Sequence, residues 1–440
     1  MSLIVMLAAA ILIGIIPVKS KRMSVRKLLV IDTAYSYKAI EAKSKHEFIL
    51  QRNLGGFFDT VYTLYPVLGA NPFDGQDSFE GTIRFRKLST KNILIEGKMA
   101  SIKALTNFPR LNFLITQCNI IMKIRKLIIT EDVSVLRGSD PFFTGLYCLL
   151  LARMTGRPFV LRIGANYDLM YEKNRVIVLK KLFRWYFVQK LIGWFVFPNA
   201  KLIFAANQSY LDYSLSNGAR KERCVIARFG NIIDPIHFSD PSTRKVDKNK
   251  FQFVGRRFGV YVGRLSEIKL PKDLLLVAFE MKKHADLSDV SIVIIGDGEI
   301  RKDMEKMARE MNIEKSILFL GDCKQNEIAG ILPYAVAYLA PHSGLSLVEA
   351  ALAATPLIAY DYEWHPELVK PGITGELVPH RDWKKMAESF VGILRNPTYG
   401  KELGVKARLL ALEMMDQKKI QAIEIENYSR LLNVGEYRNG

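Results

Sequence analysis

The chain has 440 residues, of which 49% are hydrophobic and 24% are charged, and its formal net charge is +19. This length favours two globular domains, and the composition excludes a disordered chain. The charge is uneven, because residues 1–250 carry 38 Lys or Arg against 18 Asp or Glu, whereas residues 251–440 carry 25 against 26. A basic first half indicates an anionic partner, either nucleic acid or membrane phosphate.

The N-terminus favours the membrane. Residues 2–18 form an uncharged apolar run, and Lys19, Lys21 and Arg22 follow at once. The run is close to the lower length limit of a membrane span, so residues 1–22 are predicted to anchor the protein on the cytoplasmic side of the cell membrane. The alternative is a mis-assigned start, because Met23 opens a natural first strand. Even without an anchor, a basic face would attract anionic lipid.

Four widely spaced cysteines give no metal-ligand pattern: Cys118, Cys148, Cys224 and Cys323. They indicate buried thiols in a reducing compartment. No metal or other cofactor is predicted.

Apolar runs alternate with helix-length segments in the first half of the chain. Strands are predicted at 27–32, 59–65, 92–96, 127–131, 159–164, 201–205 and 223–229, and helices at 104–126, 142–155 and 176–197. This alternation predicts parallel βαβ units and a Rossmann-like domain over residues 23–238. The polar stretch that follows predicts a linker at residues 239–256.

The second half repeats the alternation. Strands are predicted at 259–262, 290–295, 317–320, 337–340 and 357–360, with helices at 272–285, 299–312, 326–332, 346–354 and 382–395. We expect a second Rossmann-like domain at 257–397 and a helical segment at 398–440. Two α/β domains that face each other would form a cleft at their strand ends, where ligands usually bind.

Two cations follow the first predicted strand of the second domain. Gly263 directly follows that strand, and Arg264 and Lys269 in the next turn can converge on one diphosphate. A diphosphate leaving group gains negative charge as its sugar bond breaks, so these cations would stabilise the transition state. The alternative is a solvated surface pair.

A second motif, Ser343-Gly344-Leu345-Ser346, precedes a predicted helix, whose free N–H groups would form an anion site. The Ser346 side chain is expected to serve as an N-cap. Glu349 lies one turn inward on an apolar segment and would accept hydrogen bonds from ribose hydroxyls. Its alternative role is a helix-dipole or core ion-pair contact. Gly296, in a Gly-Asp-Gly turn, is a weaker candidate, because such a turn can merely join a strand to a helix.

Together these segments resemble the nucleotide-sugar domain of GT-B retaining glycosyltransferases, most similar to glycosyltransferase family 4. The resemblance covers about residues 225–395 and includes GRLSEIK, VIIGDGEIRKDME, SGLSLVEAALAATPLIAYD and HPELVKPGITGELV. It implies a GT-B fold and transfer of a sugar from a UDP- or GDP-linked donor without a metal. It also implies that Arg264 and Lys269 bind the diphosphate, Glu349 the ribose, and residues 343–346 the phosphates or sugar.

The chain departs from the family pattern at several positions. Pro341 stands where the family usually has a Glu, Leu270 replaces a Gly, and Arg162 replaces a His near a strand end. The family has a Gly-rich loop after the first strand, whereas this chain has TAYSY at residues 33–37. Candidate substitutes are Arg162, a catalytic candidate, with Asn166 and His342. On the acceptor side, Arg137 and Asp140 occupy a predicted strand-end loop.

These features predict a retaining glycosyltransferase that acts on lipid-linked or polysaccharide acceptors at the membrane surface. Because Pro341 replaces the expected Glu, a non-catalytic nucleotide-sugar-binding scaffold of a glycan-assembly complex is the alternative. A nucleic-acid binder lacks support, since no basic–aromatic recognition motif or zinc spacing occurs.

Overall fold

The computed structural model describes residues 25–33, 49–67, 83–98, 107–180 and 182–437. The predicted anchor at residues 1–22 and most of the TAYSY segment lie outside these residues. Within the described ranges, no helix is both long and apolar enough to cross a bilayer.

The chain divides into two compact domains at boundaries that differ from the predicted ones. Residues 1–228 and 417–440 form the first domain, and residues 229–416 form the second. The predicted linker at 239–256 belongs to the second domain, because Phe251, Phe253 and Val254 are buried in its core. The predicted C-terminal segment at 398–440 is split, because Tyr428 is buried in the core of the first domain.

Among the described residues, eight strands of the first domain form one sheet in the order β3-β4-β2-β1-β5-β6-β7-β8. They are β1 (Lys27–Ile31), β2 (Thr60–Tyr65), β3 (Ile83–Lys87), β4 (Asn92–Gly97), β5 (Val135–Gly138), β6 (Phe159–Ile163), β7 (Leu202–Ala205) and β8 (Cys224–Ile226). All neighbouring strands are parallel except β3 and β4. The predicted parallel α/β architecture is therefore confirmed here.

Helices connect these strands. They are α1 (Pro109–Thr130), α2 (Phe143–Thr155), α3 (Tyr167–Asn174), α4 (Tyr186–Asn199) and α5 (Gln208–Ser216). The strand predicted at 127–131 is wrong, because this segment lies at the end of α1 and the following strand is β5. Ile120, Ile124 and Ile128 are all fully buried. Their spacing of four residues is that of a helix face rather than a strand.

The second domain contains six parallel strands in the order β11-β10-β9-β12-β13-β14. They are β9 (Phe258–Val262), β10 (Ser291–Ile295), β11 (Ile317–Gly321), β12 (Ala337–Ala340), β13 (Leu357–Tyr360) and β14 (Gly375–Val378). The helices are α6 (Lys272–Met281), α7 (Arg301–Glu310), α8 (Gln325–Ile331), α9 (Leu345–Leu352), α10 (His365–Leu368), α11 (Trp383–Arg395) and α12 (Pro397–Met414). The last helix, α13 (Gln417–Tyr437), returns to the first domain.

Candidate nucleotide-diphosphate site

The predicted motifs occupy neighbouring loops of the second domain. β9 lies between β10 and β12 in the sheet, so the loops that follow these three strands share its carboxyl edge. The first two loops are joined directly: the N–H of Gly263 donates to the carbonyl of Ile295 at 3.0 Å, and that of Leu265 to the carbonyl of Asp297 at 3.0 Å. In a parallel α/β sheet this edge is where phosphate ligands bind.

Gly296 makes this close approach possible. Its φ is +126°, and a Cβ built on it would lie 2.1 Å from the carbonyl oxygen of Gly263. Any other residue would strain the backbone and push the two loops apart. The glycine therefore has a packing role, and its contact with a donor stays a prediction.

Arg264 and Lys269 have different surroundings. The Arg264 guanidinium is largely exposed and lies 3.4 Å from the carboxylate of Glu299. Lys269 is partly buried, and burial lowers the pKa of its amine, whereas the nearby carboxylate of Glu363 opposes that shift. Among the described residues, no side chain or carbonyl forms a hydrogen bond or a close ion pair with the Lys269 ammonium. An unpaired cation in partial burial is costly unless an anion joins it.

Leu270 explains why the family usually has a glycine after this lysine. Its φ is +52°, in the left-handed region that non-glycine residues seldom adopt. The turn that carries Lys269 (Glu267–Lys269) ends at this residue. The chain thus keeps the backbone shape that the family pattern implies without its glycine.

The Ser343–Ser346 loop is fixed by a buried tyrosine. The Tyr338 hydroxyl, on β12, lies 3.0 Å from the carbonyl of Val262 and 3.0 and 2.9 Å from the hydroxyls of Ser343 and Ser346. Helix α9 begins at Leu345 with Gly344 as its N-cap, and no side chain caps it. The N-cap role expected for Ser346 is therefore wrong.

Helix α9 presents free N–H groups at the loop. A Cβ on Gly344 would meet no atom within 4 Å, so the space beside this backbone is open. At the opposite end, Arg244 donates to the carbonyl of Leu352 at 3.0 Å, and Arg408 donates to the same carbonyl. Cations at the C-terminus satisfy the helix dipole there and leave the positive N-terminus to attract an anion.

His365 is a site residue that the sequence analysis did not single out. It is fully buried, its Nδ1 lies 2.9 Å from the carbonyl oxygen of Tyr360, and its Nε2 lies 3.2 Å from the backbone nitrogen and 3.0 Å from the carbonyl oxygen of Ser343. Burial lowers its pKa to about 4. The ring is therefore neutral at pH 7, and its contacts with Ser343 and Tyr360 hold the Ser343 loop against α10. His365 begins the HPELV segment that resembles the family, and this position could have identified it as a candidate.

His342 joins the Lys269 turn to the Ser343 loop. Its Nδ1 donates to the carbonyl of Ile268 at 2.7 Å, and its Nε2 lies 3.8 Å from the carboxylate of Glu363. Glu363 has a φ of +50° and a side chain that is 5% exposed. The sequence analysis missed this carboxylate, although it follows β13 at the same sheet edge. The Glu363 carboxylate lies near Lys269 and beside His342. His342 follows Pro341, the position at which the family pattern has a Glu.

Glu349 lies on α9 with a side chain that is 11% exposed. Its carboxylate is 4.0 Å from the Nε2 of His237, which forms a 2.8 Å hydrogen bond with Gln325 instead. Burial also lowers the pKa of His237, which favours the neutral ring. His237 therefore does not form a close ion pair with Glu349.

The first-domain candidates have structural partners. Arg162 is on β6, and its guanidinium lies 2.6 Å from the carboxylate of Glu424 on α13. Arg137, on β5, is buried, and desolvation lowers its pKa. The structure thus uses Arg162 to hold α13, and a catalytic role for it stays a prediction.

Asp140 and Asn166 organise the starts of helices. The Asp140 carboxylate accepts hydrogen bonds from the N–H groups of Phe142 and Phe143, each at 2.8 Å, and from the Thr144 hydroxyl at 2.8 Å. Asn166 is the N-cap of α3 and accepts the N–H of Leu169 at 3.0 Å. Both side chains are occupied by the fold, which gives no support to their predicted acceptor contacts.

Comparisons with known proteins confirm the resemblance in the second domain. Residues 243–409 match the family described as glycosyl transferases group 1. The chain is 24% identical over 177 residues to a poly(ribitol-phosphate) alpha-N-acetylglucosaminyltransferase of Staphylococcus aureus, covering 39% of this chain and 35% of that protein. It is 32% identical over 145 residues to a phosphatidyl-myo-inositol mannosyltransferase of Mycolicibacterium smegmatis, covering 31% of this chain and 36% of that protein. The matches thus span little more than a third of these relatives.

Solved structures show the fold over nearly the whole chain. A sucrose-phosphate synthase of Thermosynechococcus elongatus has a TM-score of 0.70 at 15% identity, covering 93% of this chain and all of that one. Anabaena HepE, in complex with UDP and glucose, has a TM-score of 0.67 at 14% identity, covering 92% of this chain and all of that one. The chain has the GT-B fold, and most of its second domain matches the group 1 glycosyl transferase family.

Proposed function

We propose that the protein is a retaining glycosyltransferase that moves a sugar from a nucleoside diphosphate to an acceptor hydroxyl. The group 1 domain and the glycosyltransferase relatives support the reaction class. The donor would be UDP- or GDP-linked, without a required metal. The acceptor would be a lipid-linked or polysaccharide hydroxyl on the cytoplasmic side of the cell membrane, as the basic first half suggests.

The observation that carries this proposal is the ammonium of Lys269, which forms no hydrogen bond or close ion pair with any residue that the structure describes. The hydrogen bond between His342 and the carbonyl of Ile268 ties its turn to the loop at the start of α9. A diphosphate placed there would meet the ammonium, the Arg264 guanidinium and the free N–H groups of the helix. Such fixed charges stabilise the negative charge that develops on the leaving group.

The residues divide the work as follows. As the bond between the sugar and the diphosphate breaks, its electron pair stays on the diphosphate, where Arg264 and Lys269 offset the charge. The acceptor hydroxyl attacks the anomeric carbon from the same face, which retains its configuration, and the hydroxyl proton passes to the phosphate oxygen that leaves. Glu349 would accept hydrogen bonds from the ribose, and Glu363 would supply an acidic contact that Pro341 cannot make.

Sugar transfer by the Lys269→Met variant tests the proposal. Purified protein is incubated with labelled UDP- and GDP-sugars and with membranes that supply acceptors. We expect the variant to lose about 100- to 1,000-fold in rate, whereas Lys272→Met, at an exposed pair with Glu267, keeps the rate. If the wild type shows no sugar transfer and no donor hydrolysis with any of these donors, the proposed enzymatic function is refuted.

The substitution of Pro341 for the family's Glu also favours a second candidate, a nucleotide-sugar-binding scaffold. A scaffold would bind nucleoside diphosphates without turning them over. In a scaffold, Lys269→Met would weaken nucleoside-diphosphate binding and there would be no catalytic rate for it to change. Calorimetry with UDP and GDP, run beside the transfer assay, separates the two.

A further inference from the structure

Helix α4 exposes an aromatic face to solvent. Trp185, directly before the helix, is 54% exposed, and Phe187, Leu191 and Trp194 are 64%, 39% and 57% exposed. The last three residues recur at intervals of four and three, so they line one side of the helix. The opposite side is buried through Val188, Ile192 and Val196 among others. The helix is therefore apolar on both sides, although only one of them meets the domain core.

The surroundings of this face are basic. Residues 173–199 contain six Lys or Arg and no Asp or Glu. The guanidinium of Arg184 lies 5.7 Å from the ring centre of Trp185. Lys180 and Arg184 are exposed. A protein partner with an apolar surface would need no such charge, whereas an anionic bilayer surface attracts it.

Helix α1 has the same character. Leu111, Ile115, Met122 and Ile129 are exposed on it. Residues 109–130 contain four Lys or Arg and no acidic residue. Both α1 and α4 pack against α2, so they belong to one helical layer of the first domain. We call the exposed apolar residues of α1 and α4, together with Trp185, the apolar–basic surface.

We propose that the apolar–basic surface docks the first domain on an anionic lipid bilayer. Tryptophan has an apolar body and a polar N–H, which suits it to the interface between headgroups and acyl chains. Helices with an apolar face and flanking basic residues bind there in the plane of the membrane, because apolar burial and attraction to anionic headgroups add. This inference names the surface behind the proposed membrane location, and it does not depend on sugar transfer.

The test uses the intact protein and the tryptophans of the surface. Two of the four tryptophans of the chain, Trp185 and Trp194, lie on it. Vesicles of phosphatidylcholine and phosphatidylglycerol, with bromine on the acyl chains, should quench their fluorescence, and the Trp185→Phe/Trp194→Phe variant should lose that quenching. Vesicles of phosphatidylcholine alone should quench less. The apolar run at residues 2–18 contains no tryptophan, so anchoring through it gives no false signal.

A second variant tests the contact itself. Phe187→Ser/Leu191→Ser should reduce the quenching at least about fivefold, while Phe279→Ser/Leu409→Ser, at exposed apolar positions of the second domain, should leave it unchanged. Donor hydrolysis by the same variants reports the sugar site separately, so loss of one function does not mimic loss of the other. Absence of quenching in the wild type would overturn the proposal. Self-association abolished by Phe187→Ser/Leu191→Ser, without any effect on quenching, would assign the surface to a second copy instead.

Discussion

Replacing His365 with asparagine should change how the stability of the second domain depends on pH. The imidazole has a pKa of about 4 in the folded protein, against an ordinary value of 6.5. Below about pH 6.5 the unfolded chain therefore binds a proton that the native chain does not. The free energy of unfolding then decreases as the pH is lowered, until the native ring is protonated as well. This one group should cost the wild type about 2 kcal/mol at about pH 5, and about 3 kcal/mol below about pH 4.

Urea unfolding at about pH 7.5 and about pH 5 measures this effect, with tryptophan fluorescence as the signal. The Trp364 ring packs 5.6 Å from the His365 ring, which makes it a local reporter. The variant loses the hydrogen bonds to Ser343 and Tyr360, so it starts less stable. The gap between the two proteins should then narrow by about 2 kcal/mol as the pH falls. Parallel pH profiles would refute the neutral, buried ring, as would an NMR titration of the His365 imidazole with a midpoint near its ordinary value.

Three further changes have expected outcomes. Glu349→Gln should weaken binding of a nucleoside diphosphate by about 10- to 100-fold in calorimetry, because a ribose hydroxyl loses a charged acceptor. Glu424→Leu should destabilise the first domain by about 3–5 kcal/mol in chemical unfolding, because Arg162 stays buried without its carboxylate. Gly296→Ala should lower the stability of the second domain by about 1–3 kcal/mol, because its Cβ would collide with the carbonyl of Gly263.

Each change has an internal control. Glu349→Gln should leave binding of inorganic pyrophosphate unchanged, and an equal loss for both ligands would contradict a ribose contact. The double variant Arg162→Met/Glu424→Leu should recover most of the lost stability, and a double variant as unstable as Glu424→Leu would contradict the ion-pair account. Thermal melts of Gly296→Ala that match the wild type would mean that the loops move apart at no cost.

The sequence predicted the sheets well where apolar runs were short and bounded by turn residues. Most predicted strands agree with the observed strands to within a few residues, since a short buried run with turns on both sides has few other solutions. The segment 127–131 failed because an apolar run at the end of an amphipathic helix is indistinguishable from a strand by hydrophobicity alone. The edge strand β3 was missed, since its alternation of basic and apolar residues carries no continuous apolar signal.

The positions of the candidate residues were predictable in the second domain and much less so in the first, and their contacts with a ligand stay predictions. Adjacent strand ends carry Arg264, Lys269 and the Ser343–Ser346 loop. The order of the motifs along the chain and the usual topology of a parallel sheet are enough to predict this placement. The partner of Arg162 is Glu424, 262 residues further along the chain, and no local pattern reveals it. Asp140 and Asn166 satisfy backbone N–H groups at helix starts, a role that short polar residues after strands fill as readily as ligand binding.

The return of α13 to the first domain has a consequence for synthesis. Tyr428 is fully buried in that domain's core against Phe58 and Phe204, yet it is translated after all of residues 229–416. The core of the first domain therefore lacks this ring until α13 has been translated, whereas all residues of the second domain precede α13 in the chain. The order in which the two halves mature on the ribosome should be the reverse of their order in the gene.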